Sequence, residues 1–221
     1  MRGDADGRDR LANGQTVNER TLVLASASPR RAELLARLGV PFVIKPVDIE
    51  EDAGRNPNPQ VIASRLARMK AEAARLLDQE SPLIAADTVV WVDGELLGKP
   101  REPDQAREML QELRSREHIV VTGIAVMRAG GRASLVRQPL ARVTLRDYSE
   151  AEIEASIKRG DPFDKAGGYA IQDGGLRPVA SYDGCYCNVV GLSLWATIEL
   201  LRKADICMPQ CADCPLMPPD A

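Results

Sequence analysis

The sequence predicts a mixed α/β fold built on a twisted sheet with flanking helices. Helical and strand-like segments alternate through the first half of the chain, whereas strands joined by short turns dominate its middle. The 221 residues are 44% hydrophobic and 28% charged, which is the balance of a globular protein and excludes a wholly disordered chain. No internal repeat with a period of about 20 to 50 residues is visible, so a repeat architecture is excluded as well.

Each predicted element of the first half is an apolar run bounded by turn or capping residues. In chain order they are a strand over 21–25, a helix from Ser28 to Gly39, a strand over 42–47, a long helix from Pro59, a strand over 83–92 and a hairpin turn at Asp93-Gly94 that leads to Leu96-Leu97. The long helix is expected to bury the apolar residues that keep helical spacing, which are Ile62, Leu66, Met69, Ala73 and Leu76.

The second half continues with the same kinds of signal. In chain order it predicts a helix over 103–115, strands over 119–127 and 135–145 around a Gly130-Gly131 turn, a helix from Ser149 to Gly160, a Gly-rich loop over 165–175, a strand over 186–190 and a closing helix from Ser193. Ser149 and Glu152 form a capping box, which marks where the fourth of the predicted helices begins.

Charge and hydropathy restrict the partners and the location. The net charge is −3, with 29 basic and 32 acidic residues, so the chain lacks the electrostatic footprint of a protein that binds duplex nucleic acid. No apolar run approaches the length of a membrane span, and the polar N-terminus lacks the apolar core of a signal peptide. We expect a cytoplasmic protein with no membrane and no nucleic-acid partner.

The chain divides into three parts by composition. Residues 1–20 are polar and aperiodic and are predicted to form a flexible extension, residues 21–204 carry the folded domain, and residues 205–221 form a Cys/Pro-rich tail. The tail holds Cys207, Cys211 and Cys214, whose spacing resembles the cysteine triads of iron–sulfur enzymes. We expect a disordered tail, with zinc or redox chemistry as the alternative.

The first candidate site segment is the run ASASPRRAELL. Ser28 precedes a predicted helix N-terminus, where unpaired N–H groups and the helix dipole favour anions, and Arg30 and Arg31 add bidentate donors. Together these residues predict a phosphate clamp. The structural alternative is a serine that only caps the helix, followed by two solvated arginines.

Carboxylates supply the second candidate feature. Asp87 and Thr88 interrupt the most apolar strand-like run of the chain, LIAADTVVWV, and a carboxylate is costly to bury there unless it is paired, binds a metal or faces a cleft. Glu51 and Asp164 lie in loops with site-like neighbours. Carboxylate and phosphate oxygens are the ligands that Mg²⁺ or Mn²⁺ prefers, so a divalent metal cation is the expected cofactor.

The third feature is the segment DPFDKAGGYAIQDGG. Its glycines Gly167 and Gly168 permit close backbone approach to a ligand, Lys165 supplies charge, and Gln172 offers both a donor and an acceptor for a base edge. Two further basic residues, Lys70 and Lys99, stand on other segments, where each alone is typical of a surface lysine.

Taken together, these segments resemble the Maf family of nucleoside triphosphate pyrophosphatases, also called septum-formation inhibitors. The resemblance covers roughly 21–204 and rests on several blocks in the family's order, which are LASASPRRAELL, the acidic IEE near Glu51, RLARMKA, AADTVV, GKP, HIVVTG, DKAGGYAIQ and NVVGL. Several such blocks in order are far more specific than any one of them.

The resemblance implies two lobes around a central cleft, in a fold of the Maf and inosine triphosphate pyrophosphatase type, a homodimer, and metal-assisted hydrolysis of a nucleoside triphosphate to the monophosphate and pyrophosphate. Asp87 falls on the catalytic position, where it is expected to activate water. The phosphate-side positions match Ser28, Arg30, Arg31, Lys70, Lys99 and Lys165. Positions associated with metal match Glu51, Asp87 and Asp164.

Substrate preference within the family is implied by the positions that match Arg30, Thr88 and Gln172. The IQ ending resembles the dTTP/UTP subfamily, whereas the 7-methyl-GTP subfamily has an acidic residue at the position of Gln172. A neutral amide can pair with the O4 and N3–H edge of uracil or thymine, so dTTP and UTP are the expected substrates, with modified pyrimidines such as 5-methyl-UTP as further candidates.

Two alternatives to this function stay open at the level of sequence. One is a 7-methyl-GTP pyrophosphatase, and the other is a regulator of cell division that binds nucleotides without hydrolysing them. Four positions depart from the family pattern. Asp173 replaces the usual glycine after IQ, Cys185 and Cys187 replace small or polar residues, and Ser193 replaces proline.

Overall fold

The computed structural model describes residues 21–49 and 58–206. The predicted N-terminal extension, Glu51 and the cysteine triad of the tail lie outside the described residues. The described elements, in chain order, are β1 (Leu22–Leu24), α1 (Pro29–Ala36), β2 (Phe42–Ile44), α2 (Pro59–Leu77), β3 (Leu83–Val92), β4 (Glu95–Leu97), α3 (Pro103–Leu113), β5 (Glu117–Met127), β6 (Ser134–Arg137), β7 (Leu140–Leu145), α4 (Glu150–Arg159), β8 (Val179–Gly184), α5 (Tyr186–Val190) and α6 (Leu194–Lys203), with short 3₁₀ turns at Asp161–Asp164 and Ala166–Gly168.

All eight strands belong to one mixed sheet, in the order β2-β1-β3-β5-β7-β8, with β4 paired to β3 and β6 paired to β5. Strands β1, β2 and β3 are parallel, and every pairing from β3 onward is antiparallel. The parallel part arises from the alternating strands and helices of the first half, and the antiparallel part from the hairpins of the middle. The predicted mixed α/β class is therefore confirmed.

Strand β3 changes partners on one edge. Along the other edge it pairs with β5 continuously, from Leu83 to Trp91. On the first edge, β1 pairs with β3 only as far as Ile84, and β4 begins to pair at Val90. A break in strand pairing between these two partners therefore lies at the middle of β3 within the described residues, and Asp87 is at its centre.

The helices cover both faces of the sheet. Helix α2 packs on one face through a stripe of buried small residues, which are Ala63, Ala67, Ala71 and Ala74. On the opposite face, one apolar cluster gathers Ile84 and Ala86 of β3 with residues of α1 and α6. A second cluster gathers Val90 and Val92 of the same strand with residues of α3 and α4. These two clusters are the cores of two lobes, and Thr88 lies between them.

Two predicted strands differ from the structure. The run over 186–190 is helix α5: at Val120, strand β5 is already paired with β3 on one edge and β7 on the other, so this run has no strand edge to join there. The helix instead contacts β5 through Asn188, whose Nδ2 donates to Val120 O at 3.1 Å. The predicted strand over 135–145 is two strands, β6 and β7, that pair with β5 one after the other. Pro139 lies at the break, where it lacks the N–H that a continuous strand would donate.

The predicted apolar face of α2 was wrong at its C-terminal end. Leu76 is 80% exposed, and the buried positions follow the alanines, which let the helix lie close to the sheet. Helix α3, predicted over 103–115, buries an apolar face that includes Ala106 and Leu110. Among the helices of the described residues, none is both long enough and apolar enough to span a membrane.

Candidate active site

A pocket opens at the break in β3 and is bordered by both lobes. The space inside it, counted together with its open mouth, is about 850 Å³. Every described residue of the predicted site lines it, which are Ser28, Arg30, Arg31, Lys70, Asp87, Thr88, Lys99, Asp164, Lys165 and Gln172. These residues come from α1, α2, β3 and the loops that follow β4 and α4, so the fold brings distant segments together.

The helix α1 forms the phosphate-clamp side of the pocket. Ser28 is its N-cap, and its Oγ accepts from Arg31 N at 3.5 Å, as the sequence predicts. The guanidinium of Arg31 is held by three groups of the protein: Gly191 O at 2.9 Å, Ser26 Oγ at 3.2 Å and Thr88 Oγ1 at 3.1 Å. Arg31 is therefore fixed in its orientation at the pocket wall before any ligand binds.

Asp87 lies on the opposite face of β3 from Thr88, toward α2, because side chains alternate along a strand. Its side chain is 8% exposed and forms an ion pair with Lys70 of α2, whose side chain is 12% exposed. The buried carboxylate thus has the charged partner that its apolar strand requires. Lys70, predicted as a phosphate-side residue, directly contacts the predicted catalytic carboxylate.

An ion pair connects the two lobes across the pocket. Arg30 of α1 donates from Nη1 to Asp164 Oδ2 at 2.9 Å, and Lys165 also pairs with Asp164. Burial alone would raise the pKa of Asp164, but the hydrogen bonds from Lys165 and Arg30 outweigh it and hold this pKa below its ordinary value. Asp164 is therefore a carboxylate held ionised by neighbouring cations at neutral pH.

The pocket is strongly cationic although the chain is not. Five basic side chains, Arg30, Arg31, Lys70, Lys99 and Lys165, line it together with two carboxylates, Asp87 and Asp164, for a net charge of +3. The chain as a whole has a net charge of −3. A cleft that concentrates one sign of charge raises the local concentration of ligands of the other sign. This arrangement favours a polyphosphate anion.

The Gly-rich loop uses the conformational freedom of its glycines. Gly167 and Gly168 adopt positive φ angles of 70° and 74°. A Cβ on Gly167 would lie 3.2 Å from side-chain atoms of Leu113 and of Val90, so this glycine lets the loop pack closely against the protein's own core. Its approach to a ligand stays a prediction.

The end of that loop places Gln172 at the pocket wall, where it is exposed. Asp173, which departs from the family pattern, turns its carboxylate away into the following turn, accepting from Gly175 N at 2.7 Å and Leu176 N at 3.1 Å. Its negative charge is therefore engaged by backbone donors and does not form part of the described lining of the pocket.

Several residues around the pocket were not predicted from the sequence. Tyr169 lines the pocket, and its hydroxyl lies 2.6 Å from Nε2 of the buried His118. Thr122 and Asn188 form buried hydrogen bonds directly behind Thr88. The blocks HIVVTG and NVVGL contain three of these residues, and their polar members among apolar neighbours were the available signal.

The two described carboxylates have the chemistry of hard-cation ligands. Asp87 and Asp164 present oxygen donors to the same pocket, which fits Mg²⁺ or Mn²⁺ bound together with phosphate oxygens. In the described part of the chain, no group of three or more acidic, His or Cys side chains forms a complete metal site. The third predicted ligand, Glu51, lies outside the described residues.

Known proteins resemble this chain over almost its full length. The family model described as Maf-like protein matches residues 21–204. A dTTP/UTP pyrophosphatase of Thermomicrobium roseum is 50% identical over 208 residues, covering 90% of this chain and 94% of the relative. A dTTP/UTP pyrophosphatase of Moorella thermoacetica is 47% identical, covering 81% and 93%. A third, from Dictyoglomus thermophilum, is 40% identical, covering 84% and 96%.

Proposed function

The chain belongs to the Maf-like protein family, and from that premise we propose that it is a nucleoside triphosphate pyrophosphatase that hydrolyses dTTP and UTP. Water adds across the α–β phosphoanhydride, and the products are the nucleoside monophosphate and pyrophosphate. The observation that carries this proposal is one pocket lined by five basic side chains together with the buried carboxylate of Asp87. The relatives described above, named dTTP/UTP pyrophosphatases, support the same activity.

The triphosphate is bound by residues of α1 and of the loops that follow β4 and α4. Arg31 and the N-terminus of α1, with Lys99 and Lys165, line the pocket and can neutralise phosphate oxygens. Because Arg31 is already held by Gly191 and Thr88, binding does not have to order it. Such fixed donors stabilise the additional negative charge that develops on the phosphates as the anhydride breaks.

Asp87 acts as the base that takes a proton from the attacking water. Lys70 holds one oxygen of this carboxylate through their ion pair and stabilises its negative charge. Asp87 is at the break between β1 and β4, so its carboxylate meets the pocket although its strand is in the middle of the sheet. Lys70 therefore holds the catalytic base in place, in addition to its predicted role on the phosphate side of the pocket.

A divalent cation, Mg²⁺ or Mn²⁺, is part of the proposal. Asp87 and Asp164 would hold it, with Glu51 as the third predicted ligand. When bound, it supplies charge neutralisation at the phosphate oxygens. The oxygen donors of the two described carboxylates support this assignment.

The pyrimidine preference rests on Gln172. Its amide lies at the pocket wall and can donate to O4 and accept from N3–H of uracil or thymine. Asp173, which replaces the family's usual glycine next to Gln172, has its carboxylate bound by Gly175 N and Leu176 N. Modified pyrimidine nucleotides such as 5-methyl-UTP share the same edge and are further candidate substrates.

The proposal also includes the setting in which the enzyme acts. We infer a cytoplasmic homodimer without a nucleic-acid or membrane partner. The resemblance to the Maf family supports the dimer, and the net charge of −3 supports independence from nucleic acid. Light scattering after size exclusion measures the mass, and a particle of one 24.1 kDa chain would overturn the dimer.

The test is pyrophosphate release from a panel of dTTP, UTP, CTP, ATP and 7-methyl-GTP, with Mg²⁺ or Mn²⁺ present. The proposal predicts equal amounts of monophosphate and pyrophosphate, with the highest kcat/KM for dTTP and UTP. If kcat/KM is highest for 7-methyl-GTP, the protein belongs to the 7-methyl-GTP subfamily. Tight binding of nucleotides without any pyrophosphate release would identify a non-hydrolysing regulator.

A further inference from the structure

A chain of hydrogen bonds runs from the pocket into the core behind it. Arg31 Nη2 lies 3.1 Å from Thr88 Oγ1, which lies 2.9 Å from Thr122 Oγ1, which in turn lies 2.8 Å from the backbone oxygen of Asn188. Thr88 and Thr122 face each other directly across the β3–β5 pairing. The chain therefore links the phosphate-clamp side of the pocket to helix α5.

The proton positions along this chain follow from its two ends. The carbonyl of Asn188 can only accept, so the hydroxyl of Thr122 must donate to it. Since each hydroxyl has one proton, Thr122 must accept from Thr88, and Thr88 must accept from the guanidinium of Arg31. Every donor in the chain thus points away from the pocket. The oxygen of Thr88 meets Arg31 as an acceptor.

The inner end of the chain is closed to water. Thr122 and Asn188 are both fully buried. Asn188 is fixed by two more bonds, since Thr122 N donates to its Oδ1 at 3.2 Å and its Nδ2 donates to Val120 O at 3.1 Å. Low dielectric strengthens such bonds and makes any broken member costly. This chain of hydrogen bonds therefore keeps a defined donor-to-acceptor direction, and its inner members do not exchange their partners for water.

We propose that Thr122 and Asn188 are positioning residues that orient Arg31 toward the phosphates of the substrate, acting through the hydroxyl of Thr88. This inference rests on the proposed function for its substrate. It also gives a structural role to Thr88, which the sequence predicts as a specificity residue. The hydroxyl of Thr88 donates its proton to Thr122, and its oxygen accepts from Arg31 and so aligns the guanidinium. Gly191 completes the alignment from the other side by accepting from Arg31 Nε at 2.9 Å.

The test uses Thr122→Val, which keeps the side-chain volume and removes the hydroxyl. Binding of inorganic pyrophosphate, measured by calorimetry, is the primary readout, because it does not depend on hydrolysis of any nucleotide. We expect its Kd to rise about five-fold, as for the loss of one hydrogen bond between uncharged groups. KM for dTTP should rise similarly and kcat should fall by a comparable factor, because Arg31 also stabilises the charge that develops on the phosphates. Thr122→Ser, which keeps the hydroxyl, should restore binding.

The matched control is Thr197→Val. Thr197 is a fully buried threonine of α6 whose hydroxyl also donates to a backbone carbonyl, Ser193 O, at 2.8 Å, but it is not among the residues that line the pocket. Its pyrophosphate affinity should match that of wild type. An equal loss of affinity in the Thr197 and Thr122 valine variants would show a general effect of buried hydroxyl loss and would overturn the proposal.

A second variant keeps the test decisive if Thr122→Val does not fold. Thr88→Val breaks the same chain one step nearer to Arg31, at a half-buried position. It should weaken pyrophosphate binding by a similar factor, and the Thr88→Val/Thr122→Val double variant should be no weaker than Thr88→Val alone. Unchanged pyrophosphate binding in Thr88→Val would overturn the proposal. Failure of wild type to hydrolyse dTTP and UTP would instead contradict the proposed function.

Discussion

Lys70, in the middle of helix α2, forms an ion pair with Asp87, in the middle of strand β3, and both side chains are almost completely buried. The helix can approach the strand this closely because small residues line the contact. Opposite Asp87 in the sheet lies Gly123, and α2 passes directly over it. The base of the proposed reaction is thus held by a cation on a separate element.

This ion pair predicts how Lys70→Met affects catalysis. A residue that only bound phosphate would raise KM, whereas one that holds the base should lower kcat. We expect kcat for dTTP to fall about 100-fold, at the lower end of the loss for a general base. Steady-state kinetics measure the two constants separately. Arg68→Met, at an exposed position of the same helix, is the control and should leave both near wild type.

The close packing of helix α2 against Gly123 predicts that substitution of this glycine lowers the stability of the protein. A Cβ at this position would lie 2.0 Å from Ala63 O on α2, so Gly123→Ala must push the helix away from the sheet. We expect the free energy of unfolding to fall by about 3 kcal/mol, the upper end for overpacking, as measured by denaturant titration. The control is Gly174→Ala, where a Cβ meets no atom within 4 Å and stability should be unchanged.

His118 predicts a pH dependence of stability. Burial lowers the pKa of His118 to about 4, below its ordinary value of 6.5. Between these values the unfolded chain binds a proton that the folded protein does not, so stability decreases as the pH falls through this window. This residue should contribute a loss of about 2 kcal/mol between pH 7 and pH 5.

The measurement compares wild type with His118→Gln by denaturant titration at the two pH values. Gln retains a donor and an acceptor near Tyr169 but does not titrate in this range. The variant should lose about 2 kcal/mol less than wild type between pH 7 and pH 5. Identical losses in the two proteins would show that His118 is already protonated in the folded state at pH 5.

Gln172 predicts the substrate preference. Gln172→Glu replaces a donor and acceptor with an acceptor-only group, so kcat/KM for dTTP and UTP should fall by about ten-fold or more. Competition between dTTP and 7-methyl-GTP measures the change in preference directly. Asp173→Asn is the control, because that side chain lies in the turn that it caps and should not alter the preference. Full pyrimidine turnover in Gln172→Glu would remove Gln172 from base recognition.

Local patterns were sufficient for most of the fold and for the membership of the site. Capping signals such as Ser28 and the Ser149–Glu152 box mark the observed helix starts, and the apolar run around Asp87 is the central strand. These features depend on neighbours in the chain, so the sequence displays them directly. The resemblance to a known family then brought the polar segments together as one site.

What the sequence could not predict depends on tertiary contacts. The run YCNVV has the composition of a strand, but both edges of the neighbouring strand β5 are already paired with β3 and β7, and the run forms a short helix instead. Leu76 keeps helical spacing yet is exposed, because the alanine stripe sets the rotation of α2. The Lys70–Asp87 ion pair depends on that rotation. The sequence therefore could not show that Lys70 holds the catalytic base and does not only bind phosphate.

The most direct test of the account is the steady-state hydrolysis of dTTP by Asp87→Asn. The substitution keeps the size of the side chain and removes the base, so kcat should fall about 10²–10⁴-fold while KM changes little. Thermal unfolding should show that the variant is folded. A folded Asp87→Asn protein that releases pyrophosphate at the wild-type rate would contradict the assignment of Asp87 as the group that activates water.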